Sequence, residues 1–190
     1  MTQEQFKDLI ESPVNNEKEF WESEYYRQWN GILNDQMLAE YLDKNDLTAV
    51  FYPHYEVQKY LHCFKTATER IIMADFENYD VQTLLKEAKL LVTDYSSVFF
   101  DFAYMRKPVI YFQFDQEEFF SKHYCKGYFS YEEMGFGPVV GHREAVIDAI
   151  TQSFDCGFVP TDVYQERMQN FFPLSDQKNC ERIYNAICSL

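Results

Sequence analysis

Two adjacent serines, Ser96 and Ser97, stand where an apolar run of strand length, LLVT (90–93), gives way to a longer run, SVFFDFAYM (97–105). The first run predicts a buried strand, and the second predicts a helix that is apolar on nearly all sides. Hydroxyl groups and unpaired backbone N–H groups at the start of a helix are donors that hold phosphate. The serine pair is therefore predicted to bind a phosphate group beyond the end of the strand.

Asp101 follows Ser97 by four residues, which places both side chains on one face of the predicted helix. A carboxylate there would accept a ribose or glycerol hydroxyl, or bind Ser97 itself. Burying a charge without a partner is costly, so an aspartate in this apolar run favours a binding role. The alternative is that Ser96 only caps the helix and Asp101 is a satisfied polar residue. The residues alone leave both interpretations open.

His54 is a second candidate, because it follows another apolar run, LTAVFY (47–52), with only Pro53 between them. If both runs are strands of one parallel sheet, His54 and the serine pair lie at the same carboxyl edge. A histidine there would donate to a departing phosphate and stabilise its developing charge. The alternative is a histidine ring packed on the surface, which is the commoner outcome for a lone histidine.

Further polar residues follow the apolar run VIYF (109–112). Asp115, Glu117 and Glu118 would serve acid and base chemistry, hold a metal or compensate a helix dipole. Lys126 is either a phosphate partner or solvated. A nucleophilic role for either serine ranks low, because the GxSxG turn that such a role needs is missing from the sequence.

Composition and charge exclude several classes of protein. The 190 residues carry 17 Lys and Arg against 31 Asp and Glu, a formal charge of −14, which argues against nucleic-acid binding and against a polybasic membrane patch. Five cysteines without a CxxC pair predict buried free thiols and no metal centre. The first residues lack the basic and apolar segments of a signal peptide, and no apolar run is long enough to cross a bilayer. We therefore expect a soluble, cytoplasmic protein.

Strand and helix patterns alternate along the chain. Residues 17–43 carry one or two amphipathic helices, residues 56–64 a short one, and Asp80 and His142 stand where they would cap helices. Such alternation predicts an α/β fold, a Rossmann-like parallel sheet with helices on both faces. We expect a single domain at residues 47–190, with residues 1–46 as a helical lead-in packed on it. The predicted strands lie at 47–52, 70–74, 90–93 and 109–112, with a shorter one at 135–141.

The run LLVTDYSSVFFDFAYMRKPVIYFQFDQEEF (90–119), continued by KGYFSYEEMGFGPVV (126–140), resembles the CDP-glycerol glycerophosphotransferase family. These are teichoic-acid-polymerase-like enzymes of cell-wall and capsule polymer synthesis. The resemblance implies a GT-B architecture of two Rossmann-like halves with the active site between them. It covers only the C-terminal, donor-binding half, so the N-terminal half is expected as a missing partner and the chain alone is expected to be inactive.

The resemblance also implies a reaction and its residues. Glycerol phosphate passes from CDP-glycerol to a polyol-phosphate or glycan acceptor, with release of CMP and with neither a metal nor a cofactor. By position, Ser96 and Ser97 match the phosphate-contacting serines and Asp101 matches the donor-binding aspartate. Tyr52, Pro53 and His54 match a substrate-binding segment that contains a catalytic histidine. Any association with the inner face of the membrane would run through the missing half.

Two departures from the family pattern bear on these expectations. Tyr55 stands where the family usually has proline after the histidine, and Lys126-Gly127 stands where it has Arg-Gly, which alters a phosphate contact. Two alternatives therefore stay open. One is a GT-B transferase domain with another donor, such as CDP-ribitol, and the other is a non-catalytic module for nucleotide binding or assembly.

Overall fold

A computed structural model describes residues 17–117, 119 and 128–190. Their contacts divide the chain into two compact units, one up to Leu84 and one from Leu85 onward. The domain boundary between residues 46 and 47 stays a prediction. In the described part of the chain, no helix is long and apolar enough to span a membrane.

From residue 17, where the described part of the first unit starts, three helices occur where the sequence predicted one or two. Ser23 and Asp35 divide them, because each side chain accepts backbone N–H groups at the start of a new helix. The strands β1 and β2 pair in parallel, with Ala49 opposite Ile71. The elements are α1 (Glu17–Glu22), α2 (Glu24–Leu33), α3 (Gln36–Lys44), β1 (Ala49–Phe51), a 3₁₀ segment (Tyr55–Cys63), β2 (Ile71–Met73) and α4 (Val81–Glu87), which runs into the second unit.

Aromatic rings hold the first unit together. Phe20 of α1 stacks on Tyr60 with ring centroids 4.3 Å apart, and Trp29 of α2 lies 5.8 Å from Phe51 of β1. The Tyr26 hydroxyl donates to the carbonyl of Cys63 at 3.2 Å. The helices before β1 therefore pack directly on the strand and on the 3₁₀ segment that follows it.

The second unit contains a parallel sheet in the order β3-β4-β5. Leu91 lies opposite Val109, and Tyr111 lies opposite Val139. Parallel strands bring their carboxyl ends to one edge, so the residues after β3 and after β4 meet there. The elements are β3 (Leu91–Thr93), α5 (Val98–Tyr104), β4 (Val109–Phe112), α6 (Tyr131–Met134), β5 (Val139–Val140), α7 (Arg143–Asp155), α8 (Asp162–Phe171) and α9 (Asn179–Cys188).

The core of the second unit forms around β4, which is buried over its whole length. A central strand of a parallel sheet is covered on both faces, which explains why VIYF is apolar without alternation. Helix α5 packs on β3 and β4. The buried cluster is Phe99, Phe102, Ala103, Val109, Tyr111, Phe136 and Met168.

The short helical pattern predicted at residues 56–64 is a 3₁₀ segment at Tyr55–Cys63. Helix α5 is apolar on nearly all sides, as predicted, and Asp101 is its exposed residue. The expectation that the cysteines are buried was wrong. Three of the cysteines, Cys156, Cys180 and Cys188, are exposed thiols, and only Cys63 is buried among the described residues. Which of the thiols reach the core is decided by tertiary packing, and the cysteine spacing in the sequence does not determine it.

Candidate functional site

The serine turn lies where it was predicted, between β3 and α5. Ser97 occupies the N-cap position of α5, yet its hydroxyl caps no backbone N–H within the described part of the chain. Ser97 is exposed and Ser96 is half-buried. The Ser97 hydroxyl is therefore solvent-accessible, and its predicted role as a phosphate contact stays a prediction.

The side chain of Asp94 hydrogen-bonds to the backbone at the start of this turn. Its carboxylate accepts the backbone N–H of Tyr95 at 2.7 Å. Burial raises the pKa of Asp94 above its usual range, and the negative charge of Asp115 raises it further. Hydrogen bonds from the backbone N–H groups of Tyr95 and Ser96 act in the opposite direction and lower the pKa. The backbone N–H groups of the turn thus offset only part of the burial effect, which favours the protonated carboxyl of Asp94.

Tyr95 links the ends of β3 and β4. Its hydroxyl donates to Asp115 Oδ1 at 2.9 Å, and its ring stacks on Phe119 with centroids 3.6 Å apart. Burial raises the pKa of Tyr95, and the bond to Asp115 raises it further. The phenol therefore stays protonated as a donor, and Asp115 has a structural partner that the sequence did not reveal.

A glutamine network continues from this edge toward α6. The Gln116 amide donates to Gln113 Oε1 at 3.2 Å and to Glu132 Oε1 at 2.6 Å. Gln113 is only 4% exposed, and its Nε2 has no partner among the described residues. Sequence reasoning missed Gln113; the signal available was a polar residue directly after a fully apolar strand. Of the other predicted carboxylates, Glu117 is exposed, whereas Glu118 lies outside the described residues, as does Lys126.

Asp101 differs from the sequence-based expectation in its surroundings. The expectation that Asp101 is buried in an apolar helix was wrong, since its side chain is exposed. The physical reason is that α5 buries one side only, through Phe99, Phe102 and Ala103. Ser97 and Asp101, one helical turn apart, instead share an exposed face. The exposed position of Asp101 leaves its carboxylate accessible to a ligand.

Tyr52, Pro53 and His54 follow β1 in the first unit. Pro53 is buried, and its carbonyl accepts from the Gln58 amide at 3.0 Å. His54 is exposed, and its Nδ1 accepts the Glu56 backbone N–H at 3.4 Å. In the neutral ring this contact leaves the proton on Nε2, which makes the outward nitrogen a donor.

The structure thus describes two groups of predicted site residues. Tyr52, Pro53 and His54 belong to the first unit, and the serines with Asp101 belong to the second. Their assembly into one site stays a prediction. No cluster of three metal-binding side chains occurs in the ranges that the structure describes.

A cavity of about 360 Å³ adjoins Tyr52 in the first unit. It opens beside the loop that joins β2 to α4. The residues that line it are Tyr52, Phe76, Glu77, Asn78, Tyr79, Asp80 and Val81. Apart from Tyr52, sequence reasoning had assigned no binding role to any of these residues.

The family model described as CDP-Glycerol:Poly(glycerophosphate) glycerophosphotransferase matches residues 17–189. The chain belongs to this family. The match contains both groups of predicted site residues, so the resemblance noted in the sequence is confirmed.

The relatives are much longer than this chain. The Minor teichoic acid biosynthesis protein GgaB of Bacillus subtilis (strain 168) is 36% identical over 171 residues, which are 90% of this chain and 18% of GgaB. The Teichoic acid ribitol-phosphate polymerase TarL of Staphylococcus aureus (strain NCTC 8325 / PS 47) is 29% identical over 116 residues, 60% of this chain and 20% of TarL. The chain spans about a fifth of the length of each.

Among solved structures, that of the Wall Teichoic Acid Polymerase TagF matches with a TM-score of 0.61 at 24% identity. The match covers 83% of this chain and 38% of the TagF chain. At this identity the likeness concerns the fold alone. It confirms the predicted class, a Rossmann-like α/β fold of the GT-B type with parallel sheets and helices on both sides.

Proposed function

We propose that this chain binds CDP-glycerol as the donor-binding part of a glycerophosphotransferase that builds a teichoic-acid-like or capsule-like polymer. Family membership supports the reaction class. The observation that carries the proposal is the exposed pair at the start of α5: Ser97, whose hydroxyl caps no backbone N–H in the described part of the chain, and Asp101 one turn later. A hydroxyl and a carboxylate side by side suit a ligand that combines phosphate with polyol hydroxyls.

The serine hydroxyls that we propose as phosphate contacts are neutral donors. A protein with a formal charge of −14 repels a pyrophosphate at long range, so contacts must come from short-range hydrogen bonds. Ser96 and Ser97 offer hydroxyls to the phosphate oxygens, and Asp101 accepts a hydroxyl of ribose or glycerol. His54 offers its Nε2–H to the phosphate that departs.

The proposed reaction is an in-line displacement. A hydroxyl oxygen of the acceptor attacks the β-phosphorus of CDP-glycerol, and the bond from that phosphorus to the oxygen bridging it to the CMP phosphate breaks. The bonding pair stays on CMP, whose developing charge His54 offsets. The proton of the acceptor hydroxyl goes to a base on the acceptor side, which the family resemblance assigns to the missing half. The chain alone is therefore proposed to bind the donor without turning it over.

A second candidate donor is CDP-ribitol. The observation that favours it is the similarity to TarL, whose name specifies ribitol phosphate. The two donors share the CDP group and differ only in the polyol, so the same phosphate contacts would serve both. We expect the contacts to the polyol to determine which of the two donors binds more tightly.

Calorimetric titration with CDP-glycerol, CDP-ribitol, CMP and UMP tests the proposal. We expect binding of a cytidine nucleotide, weakened about tenfold in His54→Ala, which corresponds to the loss of one charge-assisted hydrogen bond. The matched control is His62→Ala, another exposed histidine of the first unit, which contacts Glu17 instead. Failure of every cytidine nucleotide to bind, or equal weakening by both substitutions, would contradict the proposal. Tighter binding of CDP-ribitol would select the second candidate.

A further inference from the structure

Gln58 is a buried polar side chain in the 3₁₀ segment that follows His54. Only 8% of its surface is exposed, and its Nε2 donates to the carbonyl oxygen of Pro53 at 3.0 Å. Its Oε1 has no partner within the described ranges. Burying an amide oxygen without a hydrogen bond costs free energy, so burial by itself favours an apolar side chain at this position. The hydrogen bond to Pro53 is therefore what a glutamine contributes here.

Two carbonyl groups hold the backbone around His54. The Pro53 carbonyl accepts from the Gln58 side chain, and the His54 carbonyl accepts the backbone N–H groups of Val57 and Gln58 at 2.8 and 3.2 Å. His54 has φ −51° and ψ 148°, an extended conformation just before the 3₁₀ segment. A proline at position 55 would confine His54 to such a conformation, but Tyr55 does not. Hydrogen bonds, rather than a stiff chain, therefore set the orientation of His54.

The segment that carries Gln58 is itself anchored by aromatic packing. Tyr60, two residues after Gln58, is 7% exposed, and its ring stacks on Phe20 of α1 with centroids 4.3 Å apart. A functional side chain is held in place by neighbours whose own rotamers are locked by packing and hydrogen bonds. The anchored segment thus reaches Pro53, next to His54, through a side-chain hydrogen bond.

The same contact occurs in the second unit at the start of α8. Gln165 Nε2 donates to the Pro160 carbonyl at 2.7 Å, and in both places the glutamine follows the proline by five residues. Thr161, which follows Pro160, has φ −63° and ψ 160°, close to the values of His54. The contact therefore orders the residue between a proline and a helical segment. In the second unit that residue has no predicted site role, which makes Gln165 a matched control.

We propose that Gln58 is a positioning residue for His54, and that its hydrogen bond to the Pro53 carbonyl keeps the Nε2–H of His54 available to the departing phosphate. The inference rests on the proposed function, because it takes over the donor role of His54. Gln58 touches neither the donor nor the reacting atoms and acts through the histidine. The Glu56 N–H reaches His54 Nδ1 at 3.4 Å only while the ring keeps this orientation, so the tautomer of His54 reports its position.

A double-mutant cycle on donor affinity tests the coupling between the two side chains. Gln58→Met and Gln58→Leu both remove the N–H donor and suit a buried position. In calorimetric titrations of the 190-residue chain with CDP-glycerol, each should weaken binding about fivefold in the wild type and less than about twofold in the His54→Ala background. Gln165→Met removes the equivalent hydrogen bond in the second unit and should leave the affinity unchanged.

The ring nitrogens of His54 supply a second readout, which does not involve the donor. With the imidazole neutral, nitrogen NMR spectra of the wild type should show the Nε2–H tautomer. In Gln58→Met and Gln58→Leu they should show a mixture of both tautomers, because Nδ1 loses the Glu56 N–H. The ring of His62, which contacts Glu17, is the internal reference and should not change.

The outcomes separate this inference from the proposed function. If His54→Ala weakens CDP-glycerol binding but the Gln58 variants do not, or weaken it equally without His54, the proposed function stands and the positioning role is wrong. If CDP-glycerol does not bind at all, the proposed function fails, and an unchanged His54 tautomer would refute the positioning role separately. Circular dichroism checks the fold. Loss of the fold in both Gln58 variants, with Gln165→Met folded, would show a purely structural role and overturn the inference.

Discussion

Lys107 Nζ lies 2.7 Å from the carbonyl oxygen of Ala88, just past the end of α4. The same ammonium group donates to the carbonyls of Leu85 and Lys86 at 3.0 and 2.5 Å. The last carbonyls of a helix lack partners within it and carry the negative end of its dipole. The lysine of the KPVIYF motif therefore caps a helix that lies about twenty residues earlier in the chain, which is a structural role rather than a contact to substrate.

Lys107→Met should destabilise the protein by about 1.5–3 kcal/mol, because it removes charge-assisted hydrogen bonds and keeps the apolar stem. Urea unfolding followed by circular dichroism measures the change. Lys178→Met, at an exposed position before α9, is the control and should change the free energy of unfolding by less than about 0.5 kcal/mol. Equal effects of the two substitutions would show that Lys107 does not stabilise α4.

Gly137→Ala should destabilise the protein by at least about 2 kcal/mol. A Cβ at Gly137 would overlap the carbonyl oxygen of Val109 in β4, and main-chain atoms of a central strand have no room to move. Gly141→Ala is the matched control, since its Cβ would lie at an ordinary 3.8 Å from the Gln113 carbonyl. Thermal unfolding of both variants checks this; a Gly137 variant as stable as the Gly141 variant would contradict it.

Tyr95→Phe should cost about 1–2 kcal/mol of unfolding free energy. The substitution keeps the ring that stacks on Phe119 and removes only the hydroxyl that donates to Asp115. Tyr128→Phe, at an exposed ring, should have no measurable effect. The prediction fails if urea unfolding gives the same midpoint for the Tyr95 variant and the wild type.

The ionisation of Asp94 should make stability depend on pH. Because burial raises its pKa in the folded state, the favourable contribution of Asp94 is complete below its unfolded pKa, about 3.9, and is lost as pH rises through the folded pKa. Asp94→Asn removes this dependence, so the stability of the variant relative to the wild type should increase as pH rises across that window. Urea unfolding from pH 3 to 8 measures the difference, and a constant or falling difference would argue against the shift. An NMR titration of the carboxyl carbon should place its midpoint above 3.8.

Ser97→Ala and Asp101→Ala should weaken donor binding without changing stability. Both side chains are exposed, so their removal costs little folding free energy. Each should lower the affinity for CDP-glycerol several-fold, as expected for one lost hydrogen bond. Asp155→Ala, an exposed aspartate at the end of α7, is the control. Unchanged affinity in both site variants would move the donor pocket away from α5.

Much of the local structure could be predicted from the sequence, because strands buried in a parallel sheet are read directly as short apolar runs. The runs at 90–93 and 109–112 contain β3 and β4, and the predicted caps are present. Asp80 Oδ2 accepts the Thr83 N–H at 2.8 Å, and His142 Nδ1 accepts the Ala145 N–H at 3.3 Å. A capping side chain and the backbone N–H group that it accepts are only three residues apart, so these caps can be predicted from the sequence.

The family, the alternation of strands and helices and the identity of the candidate residues were thus determined by the sequence alone. The surroundings of those residues were decided by tertiary structure. Tyr95 meets Asp115 across 20 positions, and Lys107 reaches α4 across 19 to 22. Asp101 is exposed because α5 presents Phe99 and Phe102 to the sheet and turns its opposite side outward. The type of each side chain can be read from the sequence. Its burial and its hydrogen-bond partners depend on which distant segments lie beside it, and these come together only when the strands of the sheet pair.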